Sequence, residues 1–407
     1  MVRVVFVAPY AADTTLRFAR AAAELPGVRF ALITQEPPER FHSEFGARLA
    51  GIRRVKDAFD AKELAAATRS LAKELDGPAE RLIGVLEQLQ VPLAEVREQL
   101  SIRGMDVNEA RNFRDKSRMK DVLRASGLPC ARHRLCSNAA EALDFARATG
   151  FPLVAKPPAG AGARQTVRVE NLEELASYVK SVSPSAASPL LLEEVITGEE
   201  FSVDTVTLNG RHLLHSINSY APAPLTVIEN AWIQWTVFLP RRIDTPEFAP
   251  IFEAGPRALD ALGIHTGITH MEWFRRPDGR IAISEVAARP PGAQFSTLIS
   301  YAHDFDLYRA WARLVVLEQF DVPQRKFSAG AAYLRGQGEG KVVAIEGLEE
   351  VLSELKEIVV ESKIPPVGQP ASGTYEGEGF VIVRHPDTAV VAAALKKIVS
   401  NVRVRLK

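Results

Sequence analysis

The segment GITHMEWFRRPDGRIAISEVAARPPG, residues 267–292, limits what this chain can fold into more than any other stretch. Two apolar-rich runs flank Pro277-Asp278-Gly279-Arg280, so the segment reads as an antiparallel hairpin. Whether the turn holds two or four residues, one register results. Arg276 faces Ile281, Phe274 faces Ile283 and Glu272 faces Glu285, with all six on one face; His270 falls opposite Ala287. Directly opposed residues sit ~5 Å apart at Cβ. Two carboxylates at that range repel unless one is protonated or a cation lies between them. A hard divalent ion is the natural bridge, and Mg²⁺ usually brings a phosphate with it. The strand pattern leaves a second arrangement nearly even: both glutamates face solvent, and Met271, Trp273, Ala282 and Val286 form the buried face.

At 407 residues the chain exceeds the size at which one core stops growing, which predicts two to four subdomains. Fifty Lys+Arg balance fifty Asp+Glu. Zero net charge argues against a nucleic-acid binder and leaves room for a small anionic ligand held by a local lysine cluster. Cys130 and Cys136 read as reduced thiols. The first residues lack the pattern of a signal peptide, and no segment has ~18 apolar residues in a row, so a cytoplasmic protein is expected.

Along the chain, Val2 to Val7 reads as a buried strand, Thr14 to Leu25 as a helix and Arg29 to Thr34 as a strand, a β-α-β opening typical of an α/β domain with a parallel sheet. It lacks the GxGxxG dinucleotide fingerprint. Residues 60–110 carry a helical pattern with Leu82, Val85, Leu86 and Leu89 on one stripe. Helices over 116–126 and 139–149 follow, and Asn209-Gly210 marks a first hairpin. A C-terminal module begins near residue 325.

Lys156 ends a strand and precedes PPAGAGARQT, a glycine-containing loop whose N–H groups could cradle phosphate beside the lysine charge. Taken alone, a turn with a surface lysine is the better reading, and Lys116 has an equal alternative as a solvated helix cation. Glu193-Glu194-Val195-Ile196 leaves a buried strand and can offer backbone groups to an adenine edge, with Glu200 near ribose hydroxyls; alone, this too reads better as a strand end with solvated acids.

Taken in order, these pieces resemble the ATP-grasp superfamily, of the carboxylate–amine ligase type that includes L-amino acid ligases. RDKSRMKDVLRASGLPCAR, FPLVAKPPAGAGA, LLLEEVITGEEFSVDTV and HMEWF with GRIAISEVAARPPG carry the resemblance over roughly residues 111 to 320. It implies a mixed α/β (α+β) chain: a Rossmann-like pre-ATP-grasp domain over 1–110, a small ATP-grasp subdomain over 111–195, a central subdomain with the metal site over 196–322, and a C-terminal α+β module over 323–407. It implies that Lys116 and Lys156 hold the α- and β-phosphates of ATP and that the loop Ala159, Gly160, Ala161, Gly162 and Ala163 covers the γ-phosphate. The Glu194 carbonyl and Ile196 amide, flanking Val195, would read adenine with help from the Glu193 side chain, and Glu200 would hold the ribose. Glu272 and Glu285 would bind one or two Mg²⁺, with Mn²⁺ as a substitute, and Arg289 would hold the phosphoryl group or acyl phosphate.

Many relatives carry Asn where this chain has Ala287, which removes an oxygen ligand and puts a second Mg²⁺ in doubt. His270 reads better as a hydrogen-bonded structural residue than as a ligand. The expected reaction turns a carboxylate into an acyl phosphate, which an amine then attacks. The acceptor pocket is expected among Tyr220, Glu229, Trp232, Trp235 and Gln294. The partners expected are small-molecule carboxylates and amines, with no nucleic acid and no membrane, and there is room for a homodimer. The alternatives are a bicarbonate-using carboxylase or carbamoyl phosphate synthase-like enzyme, and a non-catalytic ATP-binding protein of the same fold.

Overall fold

The computed structural model describes the whole chain except residues 42–43, 160–165, 231 and 375, and the side chains of Ile228 and Glu229. Its strands, in chain order, are β1 (Val2–Val7), β2 (Val28–Thr34), β3 (Gly51–Arg54), β4 (Arg81–Ile83), β5 (His133–Cys136), β6 (Leu153–Lys156), β7 (Val167–Val169), β8 (Leu190–Glu194), β9 (Glu199–Leu208) and β10 (Arg211–Ala221). They continue with β11 (Trp235–Leu239), β12 (Gly267–Arg275), β13 (Ile281–Ala287), β14 (Ser328–Leu334), β15 (Gly336–Gln337), β16 (Val342–Glu346), β17 (Val359–Lys363), β18 (Gly379–His385) and β19 (Arg403–Leu406).

The β-branched run of β1 forms the middle of a parallel sheet ordered β3-β2-β1-β4. Here the structure corrects the helical reading of residues 60–110. Helices cover Ala61–Ser70 and Gln90–Leu100, but Arg81–Ile83 is β4, paired with Val4–Phe6 of β1. A short apolar run fits a buried strand as well as a helix, and the open edge of β1 decides between them. Val85 and Leu86 then fall in a loop at the carboxyl end of this sheet, where α/β folds place ligands.

A four-stranded antiparallel sheet, β5-β8-β6-β7, carries the lysine of β6 beside the acids of β8. The largest sheet runs β13-β12-β9-β10-β11-β14-β18-β17, so residues on either side of position 322 share one hydrogen-bonded layer. β9 and β10 turn at Asn209 (φ 52°) and Gly210 (φ 73°), as the Asn-Gly pair predicts. Gly198 lets the chain enter β9 against β12: a Cβ there would lie 2.2 Å from the Arg275 carbonyl oxygen. One face of β12 packs Met271 and Trp273 on the helix Ala249–Leu262, with the Trp273 ring stacked on Phe201 at 4.9 Å. Among the described residues no helix is long and apolar enough to cross a membrane.

Candidate active site

The hairpin β12–β13 pairs Glu272 with Glu285 and His270 with Ala287, as its sequence predicts. Past Glu272 the register slips. Trp273 pairs with Ile283, Phe274 with Ala282 and Arg275 with Ile281, leaving Ser284 as the extra residue of a β-bulge. The expected pairs Phe274–Ile283 and Arg276–Ile281 therefore do not form. Without the bulge, Ile281 and Ile283 would share a face with Glu285. With it they join Met271, Trp273 and Val286 in the core, each burial contributing roughly 1.5–3 kcal/mol, while Glu285 stays on the cavity side. The bulge is pinned from outside the hairpin: the Ile283 amide donates to the Pro129 carbonyl (2.8 Å), and Lys120 Nζ donates to the Ser284 carbonyl (2.6 Å).

Three lysines and two glutamates interlock here. Lys116 opens the helix Lys116–Ala125, capped by Asp115, and its Nζ lies 2.6 Å from Glu285 Oε1. One turn on, Lys120 is fully buried, 3.0 Å from Glu193 Oε1. Lys156, at the end of β6, lies 2.8 Å from Glu193 Oε2. Burial opposes the Glu193 charge, but Lys120 and Lys156 hold its pKa down to about 2. Burial likewise opposes the Glu285 charge and is outweighed by Lys116 and Lys156, so its pKa is lowered. Glu272 goes the other way, raised by burial and by the facing Glu285. The opposed pair thus bears the repulsion expected of it, and a cation between the two would relieve it.

Glu200 of β9 lines the same cavity, and burial together with the Glu272 charge pushes its carboxyl up to about 8. An unfolded glutamate titrates near 4.3. Between roughly pH 4.5 and 8 the folded chain therefore keeps a proton that the unfolded chain has lost, so stability falls as pH rises through that window. Melting temperatures of the ligand-free protein should drop by several degrees from pH 5 to 8.5. Glu200→Gln should flatten the profile; an unchanged slope would show that Glu200 is not the group responsible.

His270 Nδ1 lies 2.6 Å from Asp204 Oδ1, and Asn218 donates to the other Asp204 oxygen (2.7 Å), which orients the imidazole as a hydrogen-bonded structural residue. Its Nε2 lies 3.9 Å from Glu272 Oε1. Arg289 reaches the cavity held by Glu87, 3.1 Å away, and Glu87 also binds Arg114 at 3.1 Å. Glu87 opens the short 3-10 helix Glu87–Leu89 that follows β4 and is almost fully buried. Sequence reasoning missed it, because nothing local marks an acid whose two partners lie 27 and 202 residues away. Lys120 was missed too, although its position four residues after Lys116 was a usable signal.

Glu87, Lys116, Lys156, Glu193, Glu200, His270, Glu272, Glu285 and Arg289 line a cavity of about 580 Å³, within the range of small-molecule sites. Glu194, Val195 and Ile196 lie on its wall, and the Glu194 carboxylate turns to Arg132 (2.8 Å). Of the expected acceptor residues, Tyr220 and Trp235 line it. Two do not. Trp232 is 60% exposed outside it, and Gln294 is buried with its Oε1 accepting from Thr297. Ala159 is exposed and off the cavity wall, while Gly160, Ala161, Gly162 and Ala163 and the Glu229 side chain lie outside the described residues. Among the described residues no group of three or more His, Cys, Asp or Glu side chains is placed to hold a metal. The Glu272–Glu285 pair fits Mg²⁺, which takes one or two carboxylates and completes its shell with water and phosphate oxygens.

Residues 149–298 match the family model of the ATP-grasp domain. The chain is 27% identical to the L-arginine-specific L-amino acid ligase of Bacillus subtilis over 243 residues, covering 58% of this chain and 57% of that protein. It is 27% identical to the carbamoyl phosphate synthase large chain of Thermotoga sp. (strain RQ2) over 252 residues, 61% of this chain and 21% of that one. The chain thus aligns with little more than half of the first relative and about a fifth of the second. Its fold matches the crystal structure of L-amino acid ligase from Bacillus licheniformis with a TM-score of 0.77 at 19% identity, over 100% of this chain and 99% of that one. The chain is thus similar to ATP-grasp enzymes: residues 149–298 match that domain, and the fold of the whole chain is that of the ligase structure.

Proposed function

We propose that this protein is an ADP-forming ligase that activates a carboxylate with MgATP and joins it to an amine. The observation that carries the reading is the convergence of Glu272, Glu285, Lys116, Lys156 and Arg289 on one cavity. In this reading the four regions 1–110, 111–195, 196–322 and 323–407 close around that cavity or support it. Glu272 and Glu285 would hold Mg²⁺, which when bound neutralises phosphate charge. Lys116 and Lys156 would take the α- and β-phosphates, exchanging carboxylate partners for phosphate oxygens. Residues 159–163 would cover the γ-phosphate. The Glu194 carbonyl and Ile196 amide, beside Val195 and Glu193, would read adenine, and Glu200, with its raised pKa, could donate or accept at the ribose.

The chemistry needs two steps because a carboxylate is a poor electrophile. A carboxylate oxygen attacks the γ-phosphorus, the bond to the β–γ bridging oxygen breaks, and ADP leaves. The amine nitrogen then attacks the acyl carbon, the C–O bond breaks, phosphate leaves and the nitrogen sheds a proton. The chain's part is positioning and charge neutralisation, with Arg289 beside the transferred group and water kept out. The test is Mg²⁺-dependent phosphate release from ATP over a panel of amino acids, singly and in pairs, with Glu285→Gln as control. Release that needs an acid and an amine supports the ligase. The similarity to carbamoyl phosphate synthase supports a second reading, and release with bicarbonate alone would favour it.

Glu87 would act as a positioning residue, aiming the Arg289 guanidinium. Glu87→Gln should lower kcat by about 10- to 100-fold while leaving the KM for ATP near wild type, as steady-state kinetics would show. A rise in that KM with kcat unchanged would place Arg289 on the nucleotide instead.

A further inference from the structure

The cavity has two chemically different ends. One carries the lysines and the facing glutamates. The other is walled by Phe18, Val85, Tyr220, Leu225, Trp235 and Phe295. Four of these (Phe18, Val85, Trp235 and Phe295) belong to a single hydrophobic cluster that joins the first helix, the loop after β4 and the large sheet. Tyr220 stacks near Trp235 (6.5 Å) and meets the Phe295 ring edge-on (6.0 Å). Phe295 in turn touches His270 (5.4 Å), whose other side faces Glu272, so one side chain separates the apolar wall from the carboxylate pair.

Among the described lining residues the acid at this end is Glu87, and its two oxygens go to Arg114 and Arg289. Among the described residues, a cationic side chain placed beside Glu87 would find that acid already paired, and an anionic one would compete with Glu87 for Arg289. Burying either without a partner is costly, whereas an aliphatic or aromatic group loses only its contact with water. Arg289 stands at the boundary between the two ends, followed in sequence by Pro290 and Pro291 of the wall.

We propose that the apolar end seats the side chain of the acid whose carboxylate is phosphorylated, and that this acid is apolar: branched aliphatic or aromatic. The assignment rests on the ligase reading. It gives the acid one orientation, with its carboxylate at Arg289 turned to the phosphates and its side chain among the aromatic rings.

Hydroxylamine tests it, because as a general amine nucleophile it converts any acyl phosphate to a hydroxamate and so reports the acid independently of the natural amine. With MgATP, L-phenylalanine and L-leucine should give hydroxamate with kcat/KM at least about tenfold above L-lysine, L-arginine, L-aspartate and glycine. Leu225→Glu, at a half-buried position, should shift the preference toward L-lysine and L-arginine. Val85→Ala should weaken L-leucine without improving the charged acids. Calorimetric binding of the same acids in the presence of Mg²⁺ and a non-hydrolysable ATP analogue separates the two ideas. Preferred turnover of a charged acid would overturn the apolar assignment and leave the ligase standing. Selective binding of apolar acids with no hydroxamate would keep the compartment and overturn the ligase.

Discussion

Glu285→Gln is expected to lower Mg²⁺-dependent turnover by about 10²- to 10³-fold, the scale on which removing one pre-placed electrostatic group acts. The substitution removes one of two opposed carboxylates while keeping an oxygen that can accept from Lys116 Nζ, now 2.6 Å away. Repulsion on Glu272 is relieved at the same time, since Glu285 is one of the two leading causes of its raised pKa. The fold should therefore survive, with circular dichroism unchanged, and the loss should appear in kcat and in the Mg²⁺ concentration needed for half-maximal rate. Full activity in the variant would mean that Lys116–Glu285 is a structural ion pair and that metal is held elsewhere. Because turnover, Mg²⁺ dependence and fold are read separately, a misfolded variant is not mistaken for a confirmed role.

The opposition of Glu272 and Glu285 was legible because a period-two pattern needs only the position of the turn. The bulge at Ser284 was not. It exists because Pro129 and Lys120, which lie far back in the chain, hold the extra residue, and a hairpin read by itself contains neither. The same limit explains β4. Leu82 and Ile83 suit either a helix stripe or a strand, and only the free edge of β1 settles the choice. The Asn209-Gly210 turn was readable because its physics spans only a few neighbouring residues. Glu87 marks the opposite case: its meaning comes from Arg114 and Arg289, which reach it from separate elements. Lys116 and Lys156 could be named from the resemblance. What the structure adds is that their charges already have carboxylate partners before any nucleotide is considered.

The second large effect is on stability, and it concerns a residue whose expected part was at the adenine edge. Glu193 lies almost fully buried between Lys120 and Lys156, at 3.0 and 2.8 Å. Lys120 has no solvent contact, and burial lowers its pKa despite Glu193. Glu193→Gln would leave that ammonium with the Ser284 carbonyl and a neutral amide. Breaking a buried pair from one side costs about 3–5 kcal/mol, because the remaining charge is uncompensated. Scanning calorimetry at pH 7 should show a clear fall in melting temperature. Combining Glu193→Gln with Lys120→Met should recover much of it, since removing both charges is close to neutral where removing one is not. The pH dependence supplies an independent check. With a folded pKa of about 2 against an unfolded value near 4.3, Glu193 stabilises fully above about pH 4.5 and progressively less as pH falls toward 2. The gap between wild type and Glu193→Gln should therefore narrow below pH 4.5. A gap that stayed constant down to pH 3 would mean that Glu193 acts through packing and not through its charge. Since Lys120 also fixes the Ser284 carbonyl of the bulge, loss of Glu193 should loosen the strand that aims Glu285, so this variant should lose activity as well as stability.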